Sequence, residues 1–140
     1  MRKIKFTLPT IGFIAIFLLT TSLFTACSKD ENGNPKGHNV RYEITGNITV
    51  PVTIQYTPTV DENGDFDDDY EVTTNLPWEK DVVIAHNASG AGCNVSADDA
   101  SPGQQVTVKI FEEGKEVINH KGVVDANGNL QITLNHVFKR

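Results

Sequence analysis

The stretch QVTVKIFEEGKEV (residues 105–117) is the part of the sequence that most directly predicts the fold. Its first half alternates apolar and polar residues, which is the period of a β-strand with one face in a core and one in solvent. The EEGK segment (112–115) then supplies a glycine where a tight hairpin needs a positive φ. The stretch therefore predicts two antiparallel strands joined by a short turn.

The same alternation recurs along the chain after residue 39. It is clear in VRYEITG (40–46), VTIQYTP (52–58) and NLQITLNHVF (129–138). Further strands are expected at 70–74, 80–86, 93–97 and 116–124. The inward positions of these strands predict a core made of Tyr42, Ile44, Ile54, Tyr56, Trp78, Val83, Val106, Val108, Ile110, Leu130, Ile132 and Leu134.

Turn sequences separate the predicted strands. DENGD (61–65) and DANGN (125–129) each place glycine in a hairpin position, and ASPGQ (100–104) is a Pro-Gly turn. No segment after residue 39 has a sustained helical period. About seven to eight short strands joined by hairpins predict an all-β, antiparallel β-sandwich over residues 40–140.

The first 26 residues have the layout of a secretory signal peptide. Arg2, Lys3 and Lys5 precede an apolar run, and Thr25 and Ala26 are small residues before Cys27. The FTAC segment (24–27) resembles a bacterial lipobox, in which a peptidase cuts before a cysteine that carries fatty acids such as palmitate. This resemblance predicts lipidation at Cys27. The alternative is an uncleaved anchor helix.

Residues 27–39 are polar and rich in Gly, Asn and Lys, so they are expected to form a lipidated, flexible tether. Lys29, Asp30 and Glu31 directly follow the predicted lipid site. They resemble the short export signal of Bacteroidetes-type surface lipoproteins, which implies an outer-membrane location facing the cell surface. The alternative is that these charges only keep the tether solvated.

The charge of the chain restricts its partners. All 18 acidic residues follow Cys27, whereas three of the 12 basic residues precede it, so residues 27–140 carry 9 − 18 = −9 from these side chains. Such a surface repels phosphate backbones, and no nucleic-acid partner is expected. The expected partners are the membrane, through the lipid, and an envelope protein.

Several residue groups permit a chemical role and a structural one. The segment DENGDFDDDYE (61–71) offers carboxylates for Ca²⁺ or forms a solvated acidic hairpin. Trp78, after Pro77, is a binding platform or fills the core at a sheet corner. Cys93, without a partner if Cys27 is lipidated, is buried or forms an intermolecular disulfide.

No catalytic, zinc or cofactor site is predicted. Ser89 lacks a nucleophile elbow, and the glycines around it form no phosphate-binding motif. No two of the histidines His38, His86, His120 and His136 have a metal-ligand spacing. The phase of the last strand places His136 in the core or at a sheet end.

Residues 40–134 resemble the extracytoplasmic domain of the mycobacterial small membrane protein family, MmpS. The resemblance rests on VRYEITG, VTIQYTP, the Leu76-Pro77-Trp78 corner and residues 106–117. It implies an immunoglobulin-like fold and an accessory role beside an RND-type transporter. Two features depart from the family, since this chain has a predicted lipid anchor in place of a transmembrane helix and a solitary Cys93 in place of a cysteine pair.

Two functions are therefore expected for a non-enzymatic, lipid-anchored envelope protein. The first is an accessory or interaction module that assists a transporter of the RND type. The second is a surface-exposed binding module for a glycan, a host protein or a cation.

Overall fold

The computed structural model describes residues 37–65 and 70–139. They form eight β-strands, which are β1 (His38–Gly46), β2 (Val52–Tyr56), β3 (Glu71–Thr74), β4 (Trp78–Ile84), β5 (Gly90–Ala97), β6 (Gln105–Glu112), β7 (Lys115–Val123) and β8 (Leu130–Val137). The predicted all-β fold is confirmed. β1 begins at His38, two residues before the predicted start at Val40, whereas the predicted signal peptide and most of the tether lie outside the described residues.

The strands form two four-stranded antiparallel sheets. The first sheet has the order β4-β1-β6-β7 and the second has the order β3-β2-β5-β8. Strand β1 runs between β4 and β6, with Tyr42 opposite Lys80 on one side and Ile110 on the other. Strand β5 runs between β2 and β8 in the second sheet. The two sheets face each other as a β-sandwich, as the strand pattern predicted.

The core lies between the sheets and follows the period-2 pattern. Nine of the twelve predicted core residues are buried: Tyr42, Ile44, Ile54, Tyr56, Val106, Val108, Ile110, Leu130 and Ile132. Trp78 and Leu134 are half-buried and pack against these residues. The prediction for Val83 was wrong, because its side chain is 45% exposed while Val82 and Ile84 on either side of it are buried.

The turn between β6 and β7, within residues 105–117, has the predicted geometry. Glu112 of β6 pairs with Lys115 of β7, so Glu113 and Gly114 form a two-residue loop. Their φ angles are +49° and +76°. Positive φ at both central positions defines a type I′ turn, whose twist matches that of the strands it joins.

The Leu76-Pro77-Trp78 corner begins β4. Pro77 lacks an amide donor, and the strand starts at the next residue. The Trp78 ring packs on Tyr56 with centroids 5.3 Å apart. This packing favours the interpretation of Trp78 as a residue that closes the core at a sheet corner.

Candidate functional site

A groove lies on the solvent side of the first sheet, over β4, β1 and β6 and beside the β6–β7 turn. Its volume is about 540 Å³. We call it the outer groove, and its lining residues are Asn39, Val40, Arg41, Glu43, Asp81, Val82, Val83, Phe111, Glu113 and Gly114. Because neighbouring strands supply the lining, the sheet holds the groove in one shape.

Two apolar side chains, one on β4 and one on β6, form the floor of the groove. Val83 points outward from β4, and Phe111 is half-buried on β6. The register between β6 and β7 shifts by one residue between Ile110 and Phe111. Such a bulge increases the local twist and re-aims the adjacent side chains. The groove therefore offers an aromatic and an aliphatic contact with little rearrangement.

The groove is acidic. Arg41 donates from Nε to Oδ1 of Asp81 at 2.8 Å and from Nη2 to Oδ2 at 3.3 Å. The hydrogen bond with Asp81, followed by the attraction of its charge, raises the pKa of Arg41 above its ordinary value. With Glu43 and Glu113, the lining holds one positive and three negative side chains, or 1 − 3 = −2. A cationic ligand group is thus favoured over an anionic one.

One wall of the groove is fixed by Glu113 in the turn. Its carboxylate accepts from the backbone amide of Asn39 at 2.8 Å and from Nδ2 of Asn39 at 3.0 and 3.2 Å. These bonds tie the β6–β7 turn to the first residues of β1.

A second cluster lies at the same end of the sandwich but joins the two sheets. Glu112 accepts from Nδ1 of His38 at 2.9 Å and from Nε2 of His136 at 2.7 Å. Phe138 stacks on His38 with ring centroids 3.8 Å apart and meets His136 edge-on. Burial disfavours the charged form of Glu112, but the hydrogen bonds from the two histidines outweigh it, so the pKa of Glu112 lies below its ordinary value.

Sequence reasoning missed both features, apart from the position of His136 at a sheet end. His38 and Glu112 are 74 residues apart, and Glu112 and His136 are 24 apart. No spacing rule connects them, and only the register of β1 with β6 brings them together. For the groove, the outward alternation of Arg41 and Glu43 on β1 was visible, but the bulge beside Phe111 was not.

The predicted lipidation site Cys27 and the segment Lys29–Glu31 lie outside the described residues. So do residues 66–69 of the acidic hairpin. In its described part, Asp61 accepts from the amides of Asn63 at 2.8 Å and Asp65 at 2.9 Å. These bonds fix a turn, and in residues 37–65 and 70–139 no group of three or more His, Cys, Asp or Glu side chains is placed to hold a metal ion.

Cys93 is buried, as one of the two sequence interpretations predicted. Its exposed fraction is 3%, and it forms no disulfide. Burial raises the pKa of its thiol to about 12. The protonated thiol is a poor nucleophile. Ser89 lies in the loop before β5, where its carbonyl accepts from the amide of Phe138 at 3.0 Å.

Comparison with known proteins adds no relative. No protein-family model matches the chain, and no curated protein or solved structure is significantly similar to it. Within the described part of the chain, no helix is long and apolar enough to cross a membrane.

Proposed function

We propose that this chain is a non-enzymatic, lipid-anchored module of the cell envelope that works by binding a protein partner in the outer groove. The observation that supports binding in the groove is the pairing of an apolar floor with an acidic rim in one concave surface. Phe111 and Val83 supply the apolar contacts, and Asp81 is one of three carboxylates around them. Interfaces commonly combine an aromatic or aliphatic anchor with a polar rim of this kind.

The chemistry of the groove defines the partner. A protein segment that presents a lysine or arginine beside an apolar side chain complements both the rim and the floor. An acidic or phosphorylated segment would meet a lining charge of −2 and is disfavoured. The groove is also open to solvent, which suits a strand or loop of a partner rather than an enclosed small molecule.

Anchoring and location complete the proposal. The sequence before the sandwich supports lipidation at Cys27 and an outer-membrane position facing the cell surface. The resemblance to MmpS favours an RND-type transporter as the partner, in which case the contacting segment of the transporter complex must be basic and apolar. An immunoglobulin-like strand arrangement, which the same resemblance implies, is part of this proposal.

Site-specific photo-crosslinking in cells that naturally make the protein tests the proposal. A photoreactive phenylalanine replaces Val83 in the groove, and a matched variant replaces the exposed Gln131 on the other sheet. We expect one discrete protein adduct from position 83 and none from position 131. Mass spectrometry of the adduct should locate the attachment beside a lysine or arginine and an apolar residue.

The groove chemistry is tested in the same experiment by a second substitution. Glu43→Gln removes one negative charge from the rim, and Phe111→Ser removes the aromatic floor. We expect each to reduce the adduct at position 83 several-fold. A diffuse set of adducts, or an adduct that is unchanged by both substitutions or attached to an acidic segment, contradicts the proposal.

A further inference from the structure

The solvent face of the second sheet carries a regular array of polar side chains, of which only Glu71 is charged. Two rows cross all four strands in register. The first row is Glu71, Gln55, Asn94 and Thr133, and the second is Thr73, Thr53, Ser96 and Gln131. Beyond the first row, Thr57, Gly92 and Asn135 border a shallow hollow of about 220 Å³. We call these residues the amide face.

Hydrogen bonds connect the side chains of the first row into one continuous network. Thr133 donates from Oγ1 to Oδ1 of Asn94 at 3.3 Å. Asn94 donates from Nδ2 to Oε1 of Gln55 at 3.3 Å. Gln55 in turn donates from Nε2 to Oε2 of Glu71 at 2.6 Å. In the second row, the hydroxyls of Thr53 and Thr73 lie 3.1 Å apart.

This network orders the face and leaves hydrogen-bonding capacity unused. Each amide side chain has two N–H groups and a carbonyl oxygen with two lone pairs. Gln55 and Asn94 each use one N–H and accept one bond within the row. The remaining donors and acceptors belong to side chains that already share hydrogen bonds along the row. A ligand that binds them loses less conformational entropy than it would on free side chains.

The amide face differs in charge from the rest of the protein. Among its eleven residues only Glu71 is ionised, although residues 27–140 carry a net −9. The opposite sheet has a charged exterior, with the pairs Arg41–Asp81 and Lys109–Glu116. A face with a single charge offers few ionic contacts, so a neutral ligand fits it better than a charged one.

The face also lacks what a protein partner would need. Its two rows contain no aromatic side chain, whereas the cores of protein interfaces are enriched in aromatic residues. A ligand rich in hydroxyl groups instead needs a surface that carries hydrogen-bond donors and acceptors side by side. Amide and hydroxyl side chains provide these on one surface.

We propose that the amide face binds a neutral polysaccharide. Neighbouring strands are about 4.8 Å apart, and successive outward residues on one strand are about 6.6 Å apart. The first row therefore spans about 14 Å and presents a hydrogen-bonding group at each strand. A polymer with regularly spaced hydroxyls contacts several of these groups at once, which compensates for the weakness of each exposed bond.

Gly92 supplies the hollow in which one sugar unit settles. A Cβ atom at this position would lie 2.9 Å from Oδ1 of Asn135. The absence of a side chain there keeps the amide of Asn135 accessible beside the hydroxyl of Thr57, which accepts from the Gly92 amide at 2.9 Å. The hollow thus continues the first row with two further hydrogen-bonding groups.

Affinity electrophoresis of the full-length chain, extracted from membranes in a polyoxyethylene detergent, tests the proposal. The gels contain a soluble β-glucan, an α-glucan, an α-mannan or, as an anionic comparison, polygalacturonate. We expect at least one neutral polymer to retard the protein and polygalacturonate to leave its mobility unchanged. The double variant Gln55→Ala/Thr133→Ala should weaken the retardation at least tenfold in apparent Kd.

The control is Gln105→Ala/Thr107→Ala, which makes the same two changes on β6 of the opposite sheet and should retain full retardation. If the first double variant melts at a lower temperature than the control, Gln131→Lys replaces it, since Gln131 is exposed and a lysine adds charge without removing a hydrogen bond of the network. The groove variant Phe111→Ser should bind polysaccharide normally. This result separates polysaccharide binding on the amide face from protein binding in the outer groove.

Four results overturn the proposal. The first is that no neutral polymer retards the protein, and the second is that the face variant and the wild type are retarded equally. The third is that polygalacturonate retards the protein as strongly as the neutral polymers do. The fourth is that the protein self-associates and the face variant abolishes this self-association. The last result would assign the face to a second copy of the chain.

Discussion

His136 on β8 and Glu112 on β6 are joined by a hydrogen bond of 2.7 Å that connects the two sheets of the sandwich. An ionised carboxylate only accepts, so the ring Nε2 of His136 donates. His38 on β1 reaches the other carboxylate oxygen at 2.9 Å. One carboxylate therefore ties together β1, β6 and β8 at the end of the sandwich where β1 begins.

Replacing this carboxylate should lower stability. Glu112→Gln keeps the volume but removes the charge and leaves one histidine without a good acceptor. We expect the free energy of unfolding at pH 7 to fall by about 1–3 kcal/mol. Urea denaturation followed by tryptophan fluorescence measures it through Trp78. Glu79→Gln, a matched change at an exposed position of β4, should alter stability by less than about 0.5 kcal/mol.

The same group makes stability depend on pH. The pKa of Glu112 is lower in the folded protein than in the unfolded chain, so its contribution is present above the unfolded pKa. That contribution is lost as the pH falls through the folded pKa. We expect the stability difference between wild type and Glu112→Gln to shrink in acid. A difference that stays constant from pH 7 to pH 3 would show that the carboxylate's charge plays no part.

The register of β4 leads to a second prediction, on two adjacent valines. Val82 is 4% exposed and Val83 is 45% exposed. Val82→Ala removes buried methyl groups and should lower the free energy of unfolding by about 1.5–3 kcal/mol. Val83→Ala should cost under about 1 kcal/mol, mostly through the lower strand propensity of alanine. If urea denaturation shows that both variants lose the same free energy of unfolding, the register of β4 with β1 is contradicted.

These valines also show where sequence reasoning reaches its limit. The run Val82-Val83-Ile84-Ala85 is apolar throughout, so alternation cannot decide which valine faces the core. The choice is made by pairing with β1, where Val40 lies opposite Val82 and Asn39 opposite Val83. In β6 the alternating Thr107 and Lys109 removed this ambiguity, and the predicted inward residues were correct.

The sequence predicted which residues of the amide face point outward on two of its strands, but not how they align. Alternation placed Gln55 and Thr133 on the outward side of their strands, as found. What the sequence could not supply was the register that aligns them with Asn94 on β5, because pairing between strands 39 residues apart depends on the whole sheet. Long-range register likewise brings His38 to Glu112. Local pattern thus predicts which face a residue is on, whereas its neighbours on that face come from tertiary structure.

Cys93 gives a third prediction, on thiol reactivity. With its pKa at about 12, the thiolate is about a thousandfold less populated at pH 8 than that of a cysteine at its ordinary pKa of 9.0. Iodoacetamide should therefore label Cys93 at least about a hundredfold faster in urea than in buffer, as measured by mass spectrometry of the peptide that contains it. Comparable rates, or a disulfide-linked dimer in native protein, would contradict a buried thiol.

Lipidation at Cys27 is the fourth prediction. Cells fed an alkyne-bearing fatty acid should incorporate the label into the wild type, and Cys27→Ala should lose it and leave the membrane fraction. Each buried methylene contributes about 0.8 kcal/mol, so removal of the acyl chains should abolish stable anchoring. Cys93→Ala serves as the control, and it should still incorporate the fatty-acid label and remain in the membrane fraction. Membrane retention of Cys27→Ala would instead favour the uncleaved anchor helix.

Orientation at the outer membrane is the last prediction, and it depends on Lys29, Asp30 and Glu31. If these residues act as an export signal, protease added to intact cells should degrade the wild type but not a variant with alanine at all three positions. Both proteins should keep the lipid, because Cys27 is unchanged. If instead the wild type resists protease until the cells are lysed, the charges only solvate the tether. The outer groove and the amide face would then meet periplasmic partners, and a transporter complex would be the partner to seek first.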